Sequence, residues 1–394
     1  MTDDRPADRP RRIAFLSSNS GWGGSEELWT AAAAMLARRG VTVTVGKAGL
    51  DRKIRRVADL AALGVPLTDL RHIPLVPQRL VALLVLFSWP FDHIIRAMRL
   101  RGFLRRSRAD LIVLSQGGNL DGLFYAKRLR RRGVPYVLVV QKVAEMYWPS
   151  DDQLAELQAM YAGAQQVCFV SQHNLTLTEQ QLARPLPNGV VVRNPFLVPF
   201  DAPQPWPADN QRLRLACVGR LFPREKGQDI ILRVLAREKW RNRPLDVTFF
   251  GAGLHEEALR QSAAYLGLTN VRFDGFADDV AAIWRDHHGL LLPSHCEGLP
   301  LVLVEAMLSG RVAIVTDVAG NAEVLTDNLT GFLAAAPTDD NVDEALERAW
   351  QARANWPQIG AEAARQIRTL VPPSPETDFA GRLLALLDDS GTGA

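Results

Sequence analysis

Cysteine is scarce. Three residues, Cys168, Cys217 and Cys296, stand far apart among 394, which leaves no disulfide framework and no zinc-ligand spacing and suits a reducing cytoplasm. Net charge is scarce too. The chain carries 46 basic and 43 acidic side chains, a balance of +3, too little to point to nucleic acid as a partner. Long apolar runs are missing, since none reaches the roughly 18 residues of a membrane-spanning helix. The opening residues, MTDDRPADRPRR, are polar and proline-rich and read as a short disordered tail over 1–10, not as a signal peptide. Apolar residues are plentiful at 47%, enough for the core of two domains or one large one.

A strand-then-helix rhythm fills the first half. Ile13 to Leu16, Val41 to Val45, Leu111 to Leu114, Tyr136 to Val140 and Gln166 to Val170 are short apolar runs with helical segments between them. Continuous apolar strands alternating with helices predict a parallel sheet buried on both faces. Val190 to Val192 then leads into Arg193-Asn194-Pro195. A proline-rich stretch without periodicity reads as a linker over 199–212. Beyond it the rhythm restarts at Leu213–Val218, Leu245–Phe250, Val271–Phe273, Gly289–Leu292 and Val312–Val315. The expected fold is α/β, with two facing doubly wound Rossmann-like domains over 11–198 and 213–370 and a ligand cleft between them, beyond the carboxyl ends of the strands. In PETDFAGRLLALLDD, Phe379, Leu383, Leu384, Leu386 and Leu387 fall mostly on one face. The second domain's strands are already covered by then, so 371–394 is expected to cross back to the first.

Chemistry concentrates in three segments of the second half. In LLLPSHCEGLPLVLVEAMLSG a strand ends at Pro293, and a helix is expected to start at Leu299 or Pro300 and stop near Ser309-Gly310. Glu297 lies in the loop and Glu305 eight residues on, inside the helix. Helix-start N–H groups between them favour an anion. An exposed Glu305 and a capping Glu297 are the plain alternative. Against it, Glu305 is flanked by Val302, Leu303, Val304, Ala306, Met307 and Leu308, and a buried acid needs a partner. In ACVGRLFPREKGQD, Arg220 follows a strand and Lys226-Gly227 precedes a helix, a pair of cations suited to a diphosphate. In FFGAGLHEE, Gly251 and Gly253 follow a strand, a weak signal that turn geometry alone explains.

Together these segments resemble the C-terminal domain of family-4 glycosyltransferases, retaining enzymes of the GT-B fold. The E-x7-E pair is Glu297 and Glu305. The G-R-L…K-G segment is Gly219, Arg220, Lys226 and Gly227, the G-x-G is Gly251 and Gly253, and the segment bordering the base is Gly275-Phe276-Ala277-Asp278-Asp279-Val280. The likeness is specific over about 213–335 and looser before it. It implies transfer of a sugar from a nucleotide-diphosphate sugar to a hydroxyl acceptor, in bacterial glycan or glycolipid synthesis. The implied catalytic residues are Glu297 by the donor sugar and Arg220 and Lys226 on the departing diphosphate. The implied donor-binding set adds Gly23, Gly24, Gly219, Gly251, Gly253, Phe276, Gly298, Leu299 and Glu305, the last on the ribose. No metal and no further cofactor are implied, and no D-x-D stands in a loop that would hold a metal. In the family's front-face mechanism the leaving phosphate takes the acceptor's proton.

The family's GG loop is Gly23-Gly24, within SSNSGWGGSEELW, and is read as a lid near the acceptor. Glu26 and Glu27, in the first turn that follows, argue against that helix as the main phosphate holder. A plain strand-to-helix turn capped by Ser25 is the alternative. Where many members carry a histidine after the strand that here ends at Val140, this chain has Gln141. Acceptor-side candidates are Asn119, Gln141 and Lys142, with Asp121 and Glu145 nearby. His295 reads as a turn residue. Two other readings stay open: another GT-B enzyme such as a nucleotide-sugar epimerase, and a non-catalytic binding partner. Finally, residues 75–108 join an apolar run, Leu80 to Phe87, to six arginines from Arg96 to Arg108 with no acid until Asp110. They read either as a buried helix with a solvated basic face or as a segment in an anionic membrane interface near a lipid-linked acceptor. The protein is thus expected in the cytoplasm, with peripheral membrane attachment under the second reading.

Overall fold

The computed structural model describes residues 11–19, 21–71, 92–208 and 211–390. The expected tail at 1–10 and the apolar run from Leu80 to Phe87 lie outside them. Thirteen described strands form two sheets, parallel throughout. The first runs β3-β2-β1-β4-β5-β6-β7 and the second β10-β9-β8-β11-β12-β13. In chain order the first sheet comprises β1 (Arg12–Ser17), β2 (Thr42–Lys47), β3 (Leu67–Asp69), β4 (Leu111–Gly118), β5 (Tyr136–Lys142), β6 (Gln166–Phe169) and β7 (Gly189–Val191). The second comprises β8 (Leu213–Val218), β9 (Leu245–Phe250), β10 (Val271–Gly275), β11 (Gly289–Leu292), β12 (Val312–Thr316) and β13 (Phe332–Ala334). Strand order reverses between β1 and β4 and again between β8 and β11, the two switch points where such sheets open a crevice.

Side chains alternate across each strand, so each sheet buries both faces. Ile13 and Phe15 pack with Val45, Val113 and Val139 under the helix Glu27–Arg38, while Ala14 and Leu16 pack on the opposite face with Leu114, Leu138 and Met160. In the second sheet Leu215, Phe249 and Ile314 meet Ile231 and Leu346, and Leu290, Leu292 and Val315 meet Leu303, Met307 and Ile367. The closing helix, Pro375–Ser390, puts Phe379, Ala380, Leu383 and Leu387 into the first sheet's core beside Trp29 and Leu36. The three cysteines are free and buried, and burial pushes their thiols up to about 12.

The proline-rich stretch is held to the second domain by two arginines. Arg311 is buried and donates to the carbonyls of Trp284 (2.6 Å) and Pro205 (2.5 Å), and Arg368 donates to that of Phe200 (2.5 Å). Ser25 does not cap the first helix. The chain enters it through a 3-10 turn, Gly24–Glu26, and the Ser25 hydroxyl faces Asn19 and Glu26 instead. Of the three-residue edge strands, β3 and β13 carry too little pattern to be read from sequence, whereas β7 overlaps the Val190–Val192 run.

Candidate active site

The carboxyl ends of the two sheets meet. A Cβ on Gly298, after β11, would lie 2.0 Å from the Gln141 carbonyl oxygen at the end of β5. A Cβ on Gly320, after β12, would lie 2.8 Å from that of Ser171 after β6. A Cβ on Gly24, in the loop after β1, would lie 2.7 Å from Leu301 Cδ1. Ion pairs reinforce these contacts. Lys142 Nζ is 2.7 Å from Glu225 Oε1, and Glu323 accepts from the His173 N–H (2.7 Å) and from Arg193 (3.2 Å).

On the second domain's lip, β8 delivers Gly219 and Arg220, and the short helix Pro223–Lys226 delivers Lys226. Gly227 closes that turn at φ +65, and its would-be Cβ lies 2.0 Å from the Pro293 carbonyl oxygen, so only glycine brings Lys226 against the end of β11. Lys226 Nζ stands 2.5 Å from Glu297 Oε1, which also accepts from Ser294 Oγ at 2.7 Å. Arg220 is 63% exposed at its side chain, with one guanidinium nitrogen 3.3 Å from Glu225 Oε2. Glu225 therefore sits between Arg220 and Lys142, and Lys142 holds its carboxyl below the usual carboxylate range against the opposing effect of burial.

The helix begins at Leu301 with Pro300 as its N-cap and ends at Leu308. Glu305 lies one turn in, 3% exposed, and accepts the Leu197 N–H at 3.0 Å. Burial pushes its carboxyl up to about 7, and neighbouring Glu27 adds to that rise. Leu299 is buried and Phe276 is 77% exposed at the second domain's surface, an aromatic face open to solvent. Gly251 and Gly253 pack on the Gly219–Leu221 turn. A Cβ on either would lie 2.0 Å from the Gly219 oxygen or 2.3 Å from the Leu221 oxygen, which accounts for both glycines without a ligand.

The first domain's lip differs from expectation in two places. Asn119 is buried with its amide spent on Gln181 (2.6 Å) and Thr178 (3.4 Å), so it belongs to the packing of the helix Gln172–Gln181 and not to an acceptor surface. Glu26 and Glu27 do not face the cleft as free acids. Glu26 lies within 3.6 Å of buried Lys47, and Glu27 pairs with Arg56 at 2.8 Å. With both acids paired, they do not repel a phosphate from the loop as free carboxylates would. Gln141 does line the interdomain contact. Its oxygen accepts from Asn194 Nδ2 at 2.8 Å, while Gln141 Nε2 and Asn194 Oδ1 are buried without partners. Turning both carboxamides over would still leave one donor and one acceptor there. His295 is a turn residue, its N–H on the Glu225 carbonyl at 2.8 Å.

Sequence reasoning missed Glu225, Glu323, Asn194 and Lys47. Glu225 was readable, since an acid set between Arg220 and Lys226 is poised to pair with a cation. The other three owe their place to contacts between distant segments. Among the described residues, no cluster of three or more His, Cys, Asp or Glu could hold a metal ion, and no helix is long and apolar enough to cross a membrane.

Comparison with known proteins joins both halves. A model described as glycosyl transferases group 1 matches residues 212–352, and one described as a glycosyl transferase 4-like domain matches 23–198. An uncharacterized 41.2 kDa protein of the cps region of Klebsiella pneumoniae is 29% identical over 139 residues, 35% of this chain and 37% of that protein. Glycogen synthase of Pseudomonas syringae is 30% identical over 153 residues, 38% and 31% of the two chains. D-inositol 3-phosphate glycosyltransferase of Frankia alni is 31% identical over 146 residues, 34% and 36%. These alignments span about a third of each curated relative's length. Among solved structures, HepE of Anabaena in complex with UDP-glucose superposes with a TM-score of 0.74 at 19% identity, covering 95% of this chain and 99% of that one. WaaG, a glycosyltransferase involved in lipopolysaccharide biosynthesis, gives 0.67 at 16% identity, covering 93% and 98%. At such identity the likeness speaks for the fold, GT-B.

Proposed function

Since the chain belongs to the group 1 glycosyltransferases of the GT-B fold, we propose that it transfers a glycosyl group, with retention, from a nucleotide-diphosphate sugar to a hydroxyl acceptor in bacterial glycan or glycolipid synthesis. The observation that carries this reading is the Lys226–Glu297 contact of 2.5 Å at the mouth of the cleft, with exposed Arg220 beside it. Lys226 and Arg220 exchange their carboxylate partners for the oxygens of the donor diphosphate. Their charge then opposes the charge that grows on the leaving group, where fixed electrostatics contribute most to rate. Glu297, released by Lys226, faces the donor sugar as it takes on oxocarbenium character. Glu305 accepts hydrogen bonds from the ribose hydroxyls, Phe276 borders the base, and the N–H groups of Gly298 and Leu299 bind sugar or phosphate oxygens. The departing phosphate takes the acceptor's proton, so no side-chain base is needed.

Gln141 offers a neutral amide, which can hydrogen-bond but cannot carry charge. Its unpartnered amide donor is positioned to bond a hydroxyl of the bound sugar, and Lys142 holds the lips together through Glu225. The acceptor enters from the first domain's side. The reading is tested by incubating the protein with a panel of nucleotide sugars and hydroxyl acceptors and measuring release of nucleoside diphosphate. Acceptor-dependent release from one donor, with the anomeric configuration kept in the product, is the expected result. Tight donor binding without release for every acceptor supplied would turn the reading into that of a binding partner.

A further inference from the structure

Beneath the glycine-rich loop lies a charge pair wholly sealed from solvent. Lys47, at the end of β2, and Glu26 are both 0% exposed, with Nζ 3.6 Å from Oε1. Burying two charges is costly unless each is well bonded. Here both are bonded, and nearly every partner is part of the loop or its immediate flanks. Lys47 Nζ donates to the carbonyl oxygens of Asn19 and, at 2.8 Å, of Gly21. Glu26 accepts from Trp29 Nε1 (2.5 Å), Asn19 Nδ2 (3.2 Å) and Ser17 Oγ (3.3 Å). Trp29 in turn meets Trp22 edge to face at 6.5 Å.

The direction of these bonds fixes the outer face of the loop. Every described peptide bond is trans, so the N–H of Trp22 points opposite to the Gly21 carbonyl in the same plane. With that carbonyl turned inward onto Lys47, the N–H turns outward. The same loop continues through Gly23 to Gly24, which abuts Leu301 at the start of the Glu305 helix.

We propose that Lys47 is a positioning residue for the transfer reaction: by taking the Gly21 carbonyl oxygen it presents the Trp22 N–H to the oxyanion of the donor phosphate, and Glu26 is the countercharge that lets an ammonium sit there. The inference rests on the glycosyl transfer proposed above. It explains why two acids can open a helix beside a phosphate site, because one of them is neutralised from beneath. It also divides the labour within the cleft. The second domain holds the nucleotide, and the loop's donors act on the charge that develops as the sugar leaves.

The test is the double variant Lys47→Met/Glu26→Gln, which removes both charges together so that neither is stranded and frees the Asn19 and Gly21 carbonyl oxygens. The expected result is a folded protein whose kcat falls at least tenfold while its Kd for the nucleoside diphosphate released by the wild type stays within threefold. A folded double variant with kcat within twofold of wild type overturns the proposal. Amine acylation of the wild-type protein, followed by peptide mapping, keeps the proposal testable if the variant fails to fold. Lys47 should stay unmodified while exposed Lys53 is labelled, and equal labelling of the two overturns the clamp. If the wild type releases nucleotide from no donor, the transfer reading fails, and the acylation result still decides whether the loop is clamped.

Discussion

The two lips of the cleft handle charge in opposite ways. On the second domain, Arg220, Lys226, Glu225 and Glu297 are paired, and the two cations are reachable, with Arg220 63% and Lys226 18% exposed at their side chains while Glu297 is 7% exposed. On the first, Lys47 and Glu26 are wholly buried and bonded to the loop they support. A charge that must meet a ligand keeps a partner it can give up. A charge that shapes backbone is sealed away, where its bonds are strong and its loss leaves the other partner stranded. Glu305 stands between the two kinds. It is buried like the clamp but has one backbone N–H where a carboxylate can accept several hydrogen bonds.

The largest effect that would break this comparison is at Lys226. Lys226→Ala removes the cation beside the proposed leaving group, and a lost donor of this kind costs about 3 kcal/mol or a hundredfold and more in kcat. Steady-state release of nucleoside diphosphate measures it. Glu297 is left without its ammonium in that variant, so a thermal melt must accompany the kinetics. A loss of less than threefold in a folded protein would remove Lys226 from the site.

Glu305 gives the next effect, and it has a sign. Its carboxyl is raised from 4.5 to about 7 by burial, so the fold prefers the protonated form. That contribution is fully present below about 4.5 and is lost as pH rises through 7. Above 7 the ionised group costs about 3 kcal/mol, an upper figure from the size of the shift. Glu305→Gln should therefore melt near wild type at pH 4.5 and higher than wild type at pH 8. Donor binding should move the other way. The carboxylate is the better acceptor for ribose hydroxyls, so wild-type affinity rises through pH 7 while the variant's stays flat and weaker. Parallel pH profiles for the two proteins, in melting and in binding, would show that Glu305 does not titrate there.

Much of this is legible in the sequence. Strands β8, β9 and β11 could be bounded from apolar runs alone, because a strand buried on both faces has no alternation to blur its ends. Glu297, Glu305, Arg220 and Lys226 stood out by their local spacing, at strand ends or inside an apolar helix, and by the resemblance that the segment carries. The first domain's lip was harder. Asn119 and Lys47 both follow or end an apolar strand, and nothing local separates an amide turned into a neighbouring helix from one facing a ligand. Glu26 was misjudged for the same reason, since its partner lies 21 residues away on the next strand. Contacts between the domains, such as Glu323 with Arg193, leave no periodic trace at all.

Close approach between the lips predicts a smaller and graded pair of effects. A methyl on Gly298 would fall 2.0 Å from a backbone oxygen of Gln141, which cannot step aside, whereas one on Gly24 would meet the end of the Leu301 side chain at 2.7 Å. Forcing atoms into a packed contact costs roughly 1–3 kcal/mol. Gly298→Ala should lower kcat/KM at least tenfold by holding the lips apart, with a larger radius of gyration in solution scattering. Gly24→Ala should cost threefold or less. The reverse ranking would mean that the lips do not meet at Gln141 during turnover.

The smallest effect concerns charge that neither meets a ligand in the cleft nor shapes a loop. The helix Asp92–Ser107 buries Leu100 and Phe103 in the first domain's core, so it is in part a packed helix, while Arg96, Arg101, Arg105 and Arg106 stay exposed with Met98 among them. Arg130, Arg131 and Arg132 at the end of the next helix are exposed too, and Arg128 has its pKa lowered first by burial and then by the like charge of Arg131, Arg132 and Arg96. Each helix runs antiparallel to the strand after it, so Arg105 and Arg106 gather at the amino ends of β4 and β5, away from the cleft, and only Arg96 lies towards its mouth. An anionic surface would thus be held mainly by the domain's far rim, at about 1 kcal/mol for each arginine close to the lipid. Vesicles with and without anionic lipid, sedimented at low and high salt, measure this attraction. Glutamine at Arg101, Arg105 and Arg106 should weaken binding to anionic vesicles at low salt by one to two orders of magnitude and leave kcat on a soluble acceptor unchanged. Equal binding to neutral vesicles, or no loss in the triple variant, would assign the arginines to solvation alone.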